Sequence, residues 1–186
     1  QTVPGLLDTG GIIVLSPLFA MMYRKLGNKN MTMPQKFALG LLLSACAYGT
    51  LYFVCIFHDP SQKINFAWEV LAISGFFAAS ELFISALGVS LMAQLIPGRI
   101  RGFAMGVWFI TSALGIKLGS YLASTVVNNS GAGKASEILS NAELIESFLK
   151  YQHLFGLIFL FGLGSALIAW LLSFKLNQMI NLGSNV

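Results

Sequence analysis

The chain has 186 residues, 56% of them hydrophobic and only 10% charged, with a formal net charge of +4. A soluble domain carries about 25% charged residues, so this composition excludes an ordinary water-soluble fold and indicates a membrane protein. The small positive excess is scattered along the chain, which argues against nucleic-acid binding and fits loop lysines and arginines that set membrane orientation.

A spanning helix needs about 20 mostly apolar residues, and five segments meet that requirement in chain order. The first, 6–23, has Asp8 near its start and Pro17 inside it. The second, 37–57, carries no charge, and the third, 68–96, contains Glu81. The fourth, 102–127, contains Lys117, and the fifth, 154–174, is again uncharged. The expected fold is therefore all-α: a polytopic membrane protein with five transmembrane helices. Cys46 and Cys55 lie on opposite sides of the second span and are read as buried thiols.

Arg24, Lys25, Lys29, Lys36, Arg99, Arg101 and Lys175 fall on one side of these spans. Lys63, Lys134 and Lys150 fall on the other, with Asp59, Glu137, Glu143 and Glu146. The positive-inside rule puts the first set in the cytoplasm, with the C-terminus inside and the N-terminus outside. The chain opens on Gln1 without a basic n-region, so no signal peptide is expected and it reads as part of a larger polypeptide. The longest polar connection, 128–150, is an outer loop. Within it, Ser140 and Glu143 have capping-box spacing, and Ile138, Ile145 and Leu149 form one stripe. These predict a short interfacial helix feeding the fifth span. Asn128-Asn129-Ser130 fits a glycosylation sequon, a pattern too short to weigh.

Glu81 is the most informative residue. An ionised side chain at mid-bilayer costs roughly 2.5–3.5 kcal/mol, so intramembrane carboxylates mark binding or proton sites. At helical spacing, Ser74, Ala78, Glu81, Ser85 and Gly88 form a small, polar stripe suited to a close helix contact or a wet cavity wall. The carboxylate either takes a proton or pairs with a ligand cation; the plainer alternative is satisfaction by a neighbouring helix. Trp108 and Phe109 lie two turns into the fourth span, with Trp108 roughly 9 Å from Gly102, too deep for the interfacial aromatic belt. They either floor an apolar pocket or pack against a helix. Ser112, Gly115 and Gly119 continue the Trp108 face, and the Gly102/Gly106 and Gly115/Gly119 pairs permit close helix approach. Lys117 points to the opposite face, where it snorkels or finds a carboxylate such as Asp8. His58 and His153 have no second ligand type beside them, so no metal site is expected. No catalytic triad, phosphate-cradling glycine loop or zinc-spaced cysteine set is present, and nothing supports an enzyme.

These residues resemble the proton-dependent oligopeptide transporter family. Ser80-Glu81-Leu82-Phe83-Ile84-Ser85-Ala86-Leu87-Gly88, with Ala93-Gln94-Leu95-Ile96-Pro97, is similar to its tenth helix. Arg101-Gly102-Phe103-Ala104-Met105-Gly106-Val107-Trp108-Phe109 resembles the start of its eleventh. Met33-Pro34-Gln35-Lys36-Phe37-Ala38-Leu39-Gly40 resembles the start of its ninth, particularly in bacterial di- and tripeptide permeases, and Leu15-Ser16-Pro17-Leu18-Phe19-Ala20 its eighth. The resemblance implies a major facilitator fold of two six-helix halves with a central site, of which this chain supplies helices eight to twelve. It implies that Glu81 pairs with the amino terminus of a di- or tripeptide and that Trp108-Phe109 shape the pocket beneath; Ser112, on the Trp108 face, and Asp8 are further candidate binding residues. Pro97 to Arg101 then connects helices whose inner halves gate the cytoplasmic side. The implied partners are the peptide, protons, the lipid bilayer and an N-terminal half carrying the proton-coupling motif. The driving force is a proton gradient across a bacterial inner membrane, with no cofactor.

Three positions depart from the family pattern: Ser80 replaces a usual glycine, Asp8 a usual asparagine, and Lys117 another asparagine. Two other readings therefore remain open. One keeps the fold but carries another small solute through Asp8 and Lys117. The other is a non-transporting remnant or subunit that binds a partner membrane protein.

Overall fold

The computed structural model describes residues 2–26, 31–58, 65–86, 88–90, 96–129 and 141–183, and every element among them is helical. Helix α1 covers Thr2–Leu26 and α2 covers Met33–Phe57. Helix α3 is composite: α-helical over Phe66–Val70, π-helical over Leu71–Phe77, α-helical over Ala78–Glu81 and π-helical again over Leu82–Ala86. Helices α4 and α5 follow, over Arg101–Asn129 and Asn141–Gly183.

Local chemistry sets the ends. Before α2, the Thr32 N–H donates to Gln35 Oε1 at 3.1 Å, and Pro34 occupies the first turn, where its missing N–H costs nothing. Asn65 caps α3 by accepting from the Ala67 N–H at 3.0 Å. A tight turn precedes α4, with the Ile100 N–H donating to the Pro97 carbonyl at 3.1 Å.

Each of the five expected segments centres on one helix. Four stretches are long and apolar enough to cross a membrane: Met33–Phe57, Phe66–Ser90, Arg101–Thr125 and Ile145–Gln178. The apolar part of α1, Leu6–Met21, is shorter. The expected interfacial helix and the fifth span form one helix, since α5 is continuous over Asn141–Gly183 and starts within the segment read as the outer loop 128–150. Nothing between Asn141 and Phe155 is a glycine or proline, and a Glu146–Lys150 ion pair at 2.7 Å supports the outer turns. Residues 91–95, which include the inner end of the predicted third span, and Ser130, Lys134, Glu137, Ile138 and Ser140 lie outside the described residues.

Helix α2 is the hub, packed against α5 on one side and α3 on the other, while α1 packs on α3. Lipid offers no hydrophobic drive for helix association, so close packing of small residues must supply it. The interior matches that requirement: Ala38, Ala45, Ala47, Ala72 and Ala78 are buried. Across the α2–α5 contact, Gly49 faces the Phe159 ring and Gly156 the Tyr52 ring. A methyl at Gly162 would lie 3.0 Å from that of Ala45, so the two backbones approach as closely as glycine allows. Helix α4 differs from all of this, since Arg101–Thr125 contains no buried residue. Gly102, Gly106, Gly115 and Gly119 meet no neighbour among the described residues.

Candidate functional site

Helix α3 positions Glu81 by changing its winding on either side of it. A π turn closes i→i+5 hydrogen bonds, so side chains spaced for 3.6 residues per turn rotate off a common face. The expected stripe is split accordingly. The Ser74 Oγ donates to the Leu7 carbonyl of α1 at 2.6 Å. Ala78 is buried under α1, where a methyl at Gly11 would fall 2.8 Å from the Ala78 Cβ and 2.6 Å from the Ser74 carbonyl oxygen. Glu81 and Ser85 are exposed, and Gly88 is buried again. The Ser74 and Gly11 contacts lock α1 onto α3, while Glu81 stays open one turn further along.

That lock brings the Asp8 carboxyl, on α1, to face the Glu81 carboxyl. Asp8 is half-buried, and its Oδ1 is shielded from solvent without a hydrogen-bond partner. The proposed Asp8–Lys117 pair does not form: Lys117 is exposed on α4, and no ion pair joins it to Asp8 among the described residues. Its place on the face opposite Trp108, which turns toward α2 and α3, is the reason.

Asp8 also lines a cavity of about 360 Å³ between α1, α2 and α3. From α2, Ala47, Tyr48 and Leu51 form one wall, and from α3, Ala72, Ile73 and Phe77 form the other. The Tyr48 and Phe77 rings meet edge-to-face, with centroids 6.4 Å apart and an interplanar angle of 87°.

Trp108 does not float free on α4. Its indole packs edge-on against Phe37 of α2, with centroids 5.9 Å apart, and lies over Gly88, where a methyl would come within 2.6 Å of the ring. Gly88 follows Glu81 by seven residues, so Trp108 covers α3 further along its course than the carboxyl, in the direction of the Pro97 turn. Phe109, by contrast, is 62% exposed. Ser112 is exposed, and its Oγ donates to the Trp108 carbonyl at 2.9 Å, so that hydroxyl is already engaged by its own helix. Of the five residues singled out from sequence, Asp8 and Glu81 are brought together, Trp108 joins α3 at Gly88, and Phe109 and Ser112 stand apart.

Sequence reasoning missed the Asp8–Glu81 juxtaposition, the Gly88 seat of Trp108 and the Tyr48 cavity. Only the departure of Asp8 from the family's asparagine hinted at the first. Among the described residues, no group of three or more His, Cys, Asp or Glu side chains is placed to hold a metal ion.

This arrangement offers carboxyl groups to a cation on an open face, next to an apolar chamber. Comparison with known proteins places the chain in a family. A family model described as PTR2, the POT family, matches residues 3–139. Dipeptide and tripeptide permease B of Yersinia enterocolitica is 32% identical over 91% of this chain. Permease B of Aeromonas hydrophila is 33% identical over 92%. In each case the chain spans 33% of the curated relative's length. A crystal structure of a mutant of peptide transporter POT superposes with a TM-score of 0.67 at 23% identity, covering 93% of this chain and 30% of that one. The chain belongs to the POT family, the proton-dependent oligopeptide transporters.

Proposed function

We propose that this chain is the C-terminal part of a proton-coupled di- and tripeptide symporter of the bacterial inner membrane, with its C-terminus in the cytoplasm. The observation that carries the reading is the open Glu81 carboxyl, whose preceding residues Ala78, Ala79 and Ser80 are all buried. A carboxylate left open in an apolar bundle needs a counter-charge, and a peptide ammonium supplies one through charge-assisted hydrogen bonds. Asp8 contributes a second acceptor from α1. Trp108, held by Phe37 and Gly88, closes the far side of the site from Glu81. A second helical half, with the proton-coupling groups, provides the opposing wall, and alternating access follows from one half rocking against the other.

In the complete transporter that contains this chain, Glu81→Gln abolishes proton-driven dipeptide uptake while leaving membrane insertion intact. The check is labelled-dipeptide uptake into energised vesicles, normalised to transporter inserted. Unchanged uptake removes Glu81 from the mechanism.

A further inference from the structure

We propose that the first turns of α5 hold a phospholipid with a primary-amine headgroup, its two acyl chains lying in the grooves on either side of that helix. The inference is independent of how Glu81 is read and needs only that α5 crosses the membrane.

Two cavities flank a ridge of Leu149, His153 and Leu157, three residues that belong to both. One, of about 460 Å³, lies between α5 and α4 and reaches Leu122. The other, of about 420 Å³, lies between α5 and α2, where it meets Tyr52 and runs on to Leu160. A phospholipid carries two chains on one headgroup, and this ridge offers two grooves under one polar rim. The polarity is graded to match. Glu146, Lys150, Gln152 and His153 line the start of the grooves, while Leu154, Leu157 and Leu160 line α5 beyond them. From Lys150 to Leu160 the helix rises about 15 Å, half of the roughly 30 Å hydrocarbon core and so the depth of one leaflet.

The rim selects the headgroup. Glu146 and Lys150 pair at 2.7 Å through Glu146 Oε1, with side chains 67% and 34% exposed, so one charge of each sign fronts the grooves. A carboxylate has two oxygens and an ammonium three hydrogens, so a pair of this kind also takes up a second donor and a second acceptor. A zwitterionic headgroup brings both: its primary ammonium donates to Glu146, and its phosphate accepts from Lys150 and from a ring N–H of His153. A choline headgroup has no N–H to donate, and an anionic headgroup without an amine sets its charge against Glu146. On the α4 side, the Thr125 Oγ1 donates to the Leu122 carbonyl at 2.7 Å, which leaves recognition to α5.

The test returns the complete transporter to bilayers of equal parts phosphatidylethanolamine, phosphatidylcholine and phosphatidylglycerol, and counts the lipids retained on it by native mass spectrometry. The wild type should retain phosphatidylethanolamine about tenfold over phosphatidylcholine. Glu146→Gln, at an exposed position, should bring those two to parity and raise phosphatidylglycerol. Leu157→Trp, which fills both grooves, should lower retention of all three; Leu122→Trp narrows one groove from α4 and serves if Leu157→Trp fails to insert. Excess O-phosphoethanolamine, the headgroup without chains, should displace nothing. Equal retention of the three lipids by the wild type overturns the proposal, as does a preference that Glu146→Gln leaves unmoved. Displacement by O-phosphoethanolamine also overturns it, by assigning the rim to a soluble phosphate ester. A lipid-free dimer that Leu157→Trp dissociates gives the ridge to a second copy of the transporter and overturns it too.

Discussion

Helices α2 and α3 are equally long as candidate spans and equally apolar, yet they are built for different work. Helix α2 is a regular α-helix, with glycines and alanines meeting α5 on one side and α3 on the other. Helix α3 changes from α to π, back to α and to π again, and Glu81 lies on the short α-helical piece between the π turns. A regular helix keeps its small residues in register and earns close packing from a partner. A helix with π turns gives up that register, and π turns recur at functional sites. Hydropathy alone does not separate scaffold from site; winding and small-residue register do.

The contrast can be broken first at the scaffold. Gly162→Leu forces a branched side chain against Ala45 and separates α5 from α2, at a cost of about 2–3 kcal/mol. Thermal unfolding of the complete transporter in detergent reads this as a lower Tm, and an unchanged Tm contradicts the close approach. At the boundary of scaffold and site, Gly88→Ala pushes a methyl into the Trp108 indole, for a loss of about 1–2 kcal/mol. Trp108→Phe in the same molecule recovers part of that loss, a coupling that a double-mutant cycle measures directly. Ser74→Ala has the smallest effect. It removes the hydrogen bond to Leu7, worth about 0.5–1 kcal/mol, since that carbonyl is part of a helix and keeps other partners. If it instead alters dipeptide uptake strongly at unchanged Tm, the α1–α3 lock orients Asp8 more than it stabilises the bundle.

Much of this was legible in the sequence, for reasons that differ residue by residue. The all-helical membrane fold follows from long uncharged runs such as 37–57, because a bilayer leaves the backbone few alternatives. Glu81 announced itself as a carboxylate in an apolar run, and it proves open rather than sealed. The π turns of α3 were not legible, since Ala72-Ile73-Ser74-Gly75-Phe76 contains no obligatory breaker. Without them the stripe from Ser74 to Gly88 looked like one face. The meeting of Asp8 with Glu81 depends on how α1 lies along α3, where Gly11 and Ser74 bring the two helices into close contact. The continuity of α5 was hidden by its polar first turns, which resemble a loop in composition while holding good helix formers.

Helix α4 completes the picture. Many of its large apolar residues are exposed, among them Phe103 at 78% and Ile116 at 72%. Trp108 anchors its inner half to Phe37 of α2 and Gly88 of α3.

A comparison of Ala-Ala with its N-acetylated form, each competing for labelled dipeptide in wild type and Glu81→Gln, tests directly whether this acidic side chain recognises a free amine. The wild type should favour the free amine by about tenfold or more, and Glu81→Gln should treat the two alike. If the Gln variant still distinguishes them as well as the wild type does, the amine is received elsewhere and the account fails.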